Sequence, residues 1–90
     1  QDVLSNVEAG DGYADLTFTS GMGSKRIGVI IEIKRCKTKE DMYDFADAAL
    51  KQIHEKHYTA YLDRLRCGKK CVYGIAFCRK DCAISGGVLP

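Results

Sequence analysis

The stretch Ile27 to Lys34, IGVIIEIK, constrains this chain more than any other segment. It is β-branched and nearly continuous in apolar character, which predicts a central strand buried on both faces. Yet it ends in Glu32-Ile33-Lys34. Burying unpaired charges is costly, so these two residues must be paired, coordinated or placed at the strand end. Strand alternation puts Ile30, Glu32 and Lys34 on one face and Val29, Ile31 and Ile33 on the other.

The flanking segments supply the rest of an α/β domain. Val3 to Val7 is a weakly marked first strand and Gly10-Asp11-Gly12 a turn. Tyr13 to Thr19 alternates, with Ala14, Leu16 and Phe18 on one face and Tyr13, Asp15, Thr17 and Thr19 on the other. The glycine-containing Ser20 to Ser24 connects it to the central strand as a hairpin. Thr38, three residues before Asp41, opens a helix in a capping-box-like pattern. Met42, Phe45, Ala46, Ala49, Ile53, Ala60, Tyr61 and Leu65 follow at helical spacing, with a kink or break near His57 to Thr59 and Gly68 as the cap. Cys71 to Cys78 reads as a second buried strand and Asp81 to Ile84 as a short edge strand. A helical crossover between buried strands implies a parallel pair. The expectation is a mixed sheet with a long crossover helix, in the order strand-strand-strand-helix-strand. Its 90 residues suffice for one domain, 1–90, with a core at about 3–84 and a tail at 85–90.

Composition narrows the function. No run is long enough to span a membrane and no secretory leader is visible, so a cytoplasmic location is expected. Five cysteines is an odd number, which favours free thiols in a reducing compartment over a disulfide scaffold. Residues 1–24 carry four acids and no Lys or Arg, whereas 25–90 carry 14 bases and 8 acids. An acidic cluster beside a basic body suits a cation and a polyanion, and a solvated mixed surface gives the same counts.

If the hairpin register brings Asp15 beside Glu32, the two carboxylates repel each other and a divalent cation relieves that repulsion. Lys34, two residues beyond Glu32 on the same face, is placed to act on water or on developing charge. Hard oxygen ligands favour Mg²⁺ or Mn²⁺ over Zn²⁺. Glu32-x-Lys34 is the only acid-x-Lys triplet in the chain. A structural ion pair at a strand end accounts for the same residues.

Other clusters carry less. His54 and His57 are one turn apart with no obvious third ligand, as expected of solvated surface histidines. Cys67, Cys71, Cys78 and Cys82 suggest zinc, but a strand between Cys71 and Cys78 would hold them about 23 Å apart, too far for one ion. Arg64, Arg66, Lys69 and Lys70, with Tyr58 and Tyr61 nearby, suit phosphate binding and base stacking. A cationic helix end explains them equally.

Four segments in order, NVEAGDGYAD, VIIEIK, ALKQIHEKHY and VYGIAFCRKDCAI, resemble the PD-(D/E)XK nuclease superfamily over residues 5–84. Within it, they are similar to the nuclease-like domain found C-terminal to bacterial AAA-ATPase-like proteins. The resemblance implies a restriction-endonuclease-like core and a metal-dependent nuclease, with DNA favoured over RNA as substrate. It implies Asp15 and Glu32 as metal ligands, joined by the Ile33 carbonyl, and Lys34 as catalytic lysine. Gln52 would orient the site, with Tyr58 in the same motif, and Glu8 matches an acid preceding the core Asp. Ala14 stands where the motif's proline would be. The first core helix is missing by this comparison, so a homodimer, an N-terminal segment or an ATPase domain is expected to complete the fold. The rival expectation is a non-catalytic module that binds nucleic acid or protein.

Overall fold

The computed structural model describes residues 2–9 and 12–90, with side chains from Asp15 onward. Gly10 and Asp11 of the expected turn, and the side chain of Glu8, lie outside that description. Five strands form one sheet in sequence order: β1 (Asp2–Ala9), β2 (Gly12–Ser20), β3 (Ile27–Arg35), β4 (Lys69–Cys78) and β5 (Asp81–Val88). Neighbouring strands are antiparallel except β3 and β4, which are parallel because helices α1 (Met42–Glu55) and α2 (Thr59–Arg64) carry the chain back between them. This is a mixed α/β sheet compatible with a restriction-endonuclease-like core.

Both helices pack on one face of the sheet. Met42, Ala46, Ala49 and Ile53 line the buried side of α1, at the spacing of a helix that covers a sheet. Ile53 meets Ile30, Val72, Tyr58 and Leu62 in one cluster. Met42 and Ala46 meet Cys36, Ala76, Cys78 and Ala83 in another. Small residues set the approach: a Cβ on Gly74 would collide with the Ala46 carbonyl and the Leu50 amide. Gly74 of β4 is opposite Glu32 of β3, so the contact that seats α1 also sets its height above Glu32.

The opposite face is uncovered among the described residues. Val29 is buried there, but Ile33, Phe77 and Ile84 are 38%, 42% and 57% exposed. Burial of the central strand on both faces, expected from its apolar run, therefore holds only in part. Among the described residues, no helix is long and apolar enough to cross a membrane.

The helical segment is broken, not continuous. His57 adopts a left-handed φ of 57°, and the Tyr58 amide donates back to the Ile53 carbonyl. That geometry closes α1 in the manner of a glycine cap. At the end of α2 the left-handed residue is Arg66, φ 58°, not Gly68 as the sequence suggested. Gly68 serves a different purpose, because a Cβ there would collide with the Ser24 carbonyl. Thr38 does not cap a backbone amide; its hydroxyl donates to the Asp41 carboxylate at 2.6 Å, and a 3₁₀ turn over Lys39–Asp41 precedes α1. The expected tail at 85–90 is also corrected. β5 runs to Val88, which pairs with Cys71 along the edge of the sheet.

All five cysteines are free thiols. Cys36 and Cys78 sit buried side by side at the C-terminal ends of the parallel strands, and burial holds the Cys36 thiol above its ordinary range.

Candidate active site

Four polar residues meet on the face of the sheet that carries the helices. Asp15 comes from β2, Glu32 and Lys34 from β3, and Gln52 from the last turns of α1. The β2–β3 register pairs Leu16 with Ile31, which brings Asp15 level with Glu32. The two carboxyl groups are hydrogen-bonded to each other. A second Asp15 oxygen contact fixes its aim: the Ile33 amide donates to Oδ2 at 2.7 Å.

Gln52 ties the strand pair to the helix. Lys34 Nζ donates to Gln52 Oε1 at 2.7 Å. Gln52 Nε2 donates to Glu32 Oε2 at 3.2 Å and to the Tyr58 hydroxyl at 3.4 Å. One amide thus faces the base with its acceptor and the acid with its donors, which also fixes the amide's orientation. Tyr58 reaches Gln52 because the left-handed turn at His57 folds the chain back beneath α1.

Glu32 is 3% exposed. Burial is the largest cause raising its pKa, to about 8, followed by the hydrogen bond and the charge of Asp15; Lys34 opposes them. In the metal-free protein at neutral pH, the Glu32 carboxyl is therefore favoured in its protonated form. Such a proton marks a place where a cation would be stabilised. The donors available are hard: two carboxylates and the Ile33 carbonyl, which lies on the same strand edge as the Ile33 amide. These residues fit a hard divalent cation completed by water. Among the described residues, no three His, Cys, Asp or Glu side chains converge on one point.

The residues expected to bind nucleic acid fare differently. Tyr58 is 2% exposed and packed in the core, so its ring face is closed to a base; its role is the hydroxyl beside Gln52. Arg64 is exposed, stacked 5.7 Å from the Tyr61 ring centroid. Arg66 and Lys69 are exposed. Lys70 is engaged with Asp63 at 2.6 Å, so part of its charge is already matched. The hydrogen bonds of the Asp15–Gln52 network run to Ile33, Glu32, Lys34 and Tyr58, and not to these basic residues. Sequence reasoning missed Arg26, which reaches across to Thr19 and to α2; the Lys25-Arg26 pair just before β3 was the available signal.

A family model described as PD-(D/E)XK nuclease superfamily matches residues 1–86. The chain belongs to that superfamily. No curated protein and no solved structure matches it.

Proposed function

We propose that this domain is a metal-dependent nuclease that hydrolyses phosphodiester bonds of nucleic acid, DNA before RNA, with Mg²⁺ or Mn²⁺. The observation that carries this reading is the hydrogen-bonded cluster in which Gln52 bonds both Lys34 and the buried Glu32 while the Ile33 amide holds Asp15 beside them. A lone strand-end ion pair would not need a helix glutamine bonded to both partners. Asp15, Glu32 and the Ile33 carbonyl would hold the cation. When bound, the cation supplies charge for the scissile phosphate and a water of lowered pKa.

The protein's own residues do the remaining work. Asp15 and Glu32 would hold the cation as anionic carboxylates, and its charge would favour ionisation of the buried Glu32. The Ile33 amide keeps Asp15 aimed while this happens. Gln52 holds Lys34 at hydrogen-bond distance, so the ammonium is positioned beside the acids without collapsing onto them. From there Lys34 donates to the attacking water or to the oxygens that gain charge. Glu8 is a further acidic candidate, on the strand paired with β2. An ATPase-containing parent protein, or a second copy completing the fold, belongs to the same proposal.

The test is incubation of the purified chain with supercoiled and linear DNA in Mn²⁺, with EDTA and Lys34→Ala as controls. Cleavage lost in both controls supports the reading. No cleavage by a folded chain that binds DNA would favour the non-catalytic module.

A further inference from the structure

A cleft of about 460 Å³ opens at the opposite end of β3 from Glu32 and Lys34. Gly23, Ser24, Arg26, Leu65 and Arg66 line it. Two of the five are arginines and none is acidic. The segments that build it, 19–26 and 63–70, carry Lys25, Arg26, Arg64, Arg66, Lys69 and Lys70 against one acid, Asp63. That acid is already bonded to Lys70.

Arg26 is held in place but not satisfied. Its guanidinium donates to the Leu65 carbonyl and to Thr19 Oγ1, both at 3.4 Å, near the long limit of a hydrogen bond. Its Nε–H is buried with no partner. Buried donors are rarely left unpaired, and a guanidinium has five to place. Arg66 is presented from a left-handed backbone position, φ 58°, fixed by the Cys67 amide donating to the Leu62 carbonyl. A Cβ on Gly23 would meet no atom within 4 Å, so the 3₁₀ turn leaves the mouth open.

We propose that this cleft is a phosphate-binding site, with Arg26 and Arg66 as its two recognition side chains, and that its ligand is a backbone phosphate of the nucleic acid bound at the active site. The source of the phosphate rests on the nuclease reading; the phosphate chemistry does not. Planar guanidinium forks match phosphate oxygens better than ammonium groups do. Thr19, which Arg26 contacts, lies on the same face of β2 as Asp15 and four residues away, about 13 Å. Arg26 itself is six residues from Glu32 along β3, about 20 Å. These spans correspond to about four to six nucleotides of one strand at about 3.4 Å each. One strand can therefore engage both places at once.

The test uses the whole chain in EDTA, so that no cleavage intervenes. Inorganic phosphate is titrated into ¹⁵N-labelled protein, and a fluorescent DNA duplex is bound by anisotropy at several salt concentrations. Arg66→Asn removes the charge while keeping a residue that tolerates a left-handed φ. Arg26→Lys keeps a charge and removes the fork. The expected result is that phosphate moves the Gly23, Ser24 and Arg66 amide signals in the parent chain, and that Arg66→Asn abolishes the movement at Gly23 and Ser24. Duplex affinity should fall about tenfold in each variant, from loss of a charge-assisted contact. The salt slope should become shallower by about one in Arg66→Asn.

Unmoved amides overturn the phosphate site, whatever the DNA result. Phosphate shifts with unchanged duplex affinity in both variants overturn the nucleic-acid source and leave free phosphate as the ligand. Adding Mn²⁺ to the bound duplex separates the two readings. If the DNA is never cut but both variants bind weakly, the nuclease reading fails and the cleft stands. If it is cut and both variants bind as tightly as the parent, the nucleic-acid source of the phosphate fails and the nuclease reading stands.

Discussion

The two faces of the sheet are built by opposite rules. On the face beneath the helices, β3 presents Ile30, Glu32 and Lys34, and Ile30 and Glu32 are among the most buried residues of the chain. On the uncovered face the same strand presents Val29, Ile31 and Ile33, and Ile33 is 38% exposed. A one-sided sheet ordinarily puts polar groups toward water and apolar groups toward the helices. Here an ionisable pair occupies the covered side. Burial on that face is therefore used to hold a carboxyl at a shifted pKa beside a lysine, and stability must come from Ile53, Leu62, Val72 and the small residues around them.

Breaking the covered face should have the largest effect. Ile53→Ala removes a fully buried side chain between α1 and the sheet and is expected to cost about 2–5 kcal/mol by denaturant unfolding. The next effect falls on chemistry alone. Lys34→Ala should lower the cleavage rate by about 100-fold or more, with the far-UV dichroism and unfolding midpoint close to the parent's. A matching loss of structure would mean that Lys34 is chiefly structural.

The pH dependence sharpens the comparison further. Glu32 has a folded pKa of about 8 against an ordinary 4.5. Between these values the unfolded chain has lost a proton that the folded chain keeps, so the group's contribution is complete below about pH 4.5. It declines as pH rises and is gone above about pH 8. The unfolding midpoint of metal-free protein should therefore fall with pH across that window, and Glu32→Gln should flatten the fall. A parent and variant with parallel profiles would show that Glu32 ionises normally. The smallest effect belongs to the uncovered face: Ile84→Thr, at a 57% exposed site, should change stability by no more than about 0.5 kcal/mol. A larger loss would mean that something packs on that face in solution.

How much of this was legible in the sequence depends on which forces are local. Alternation in 27–34 placed Glu32 and Lys34 on one face, because strand period depends only on the backbone, whereas bringing Asp15 level with Glu32 needed the hairpin register. The superfamily resemblance supplied Gln52, since nothing in helical spacing distinguishes a half-buried, hydrogen-bonded glutamine from a solvated one. The sequence could not show that Tyr58 is buried, because its exposure depends on the break after Glu55. A basic and aromatic stretch reads alike whether its tyrosine faces solvent or core. β5 was underestimated because Ser85-Gly86-Gly87 has poor strand propensity, and pairing with β4 overrides it. The Lys25-Arg26 pair marked a basic spot, but the contacts of Arg26 could not be read from it for a similar reason. Its partners, Thr19 and the Leu65 carbonyl, come from two other elements.

The left-handed turn at His57 has a consequence for how this domain can vary in length. It closes α1 and delivers Tyr58 to Gln52 within three residues. Each residue added to a helix rotates the downstream chain by about 100° and advances it about 1.5 Å. One residue inserted or deleted between Gln52 and Tyr58 would swing the phenol away from the amide. Elsewhere, at the tip of the β4–β5 hairpin around Arg79 and Lys80, the chain can lengthen without touching the site. Length polymorphism should therefore be tolerated at that tip and refused between 52 and 58, which makes the short break the domain's fixed ruler.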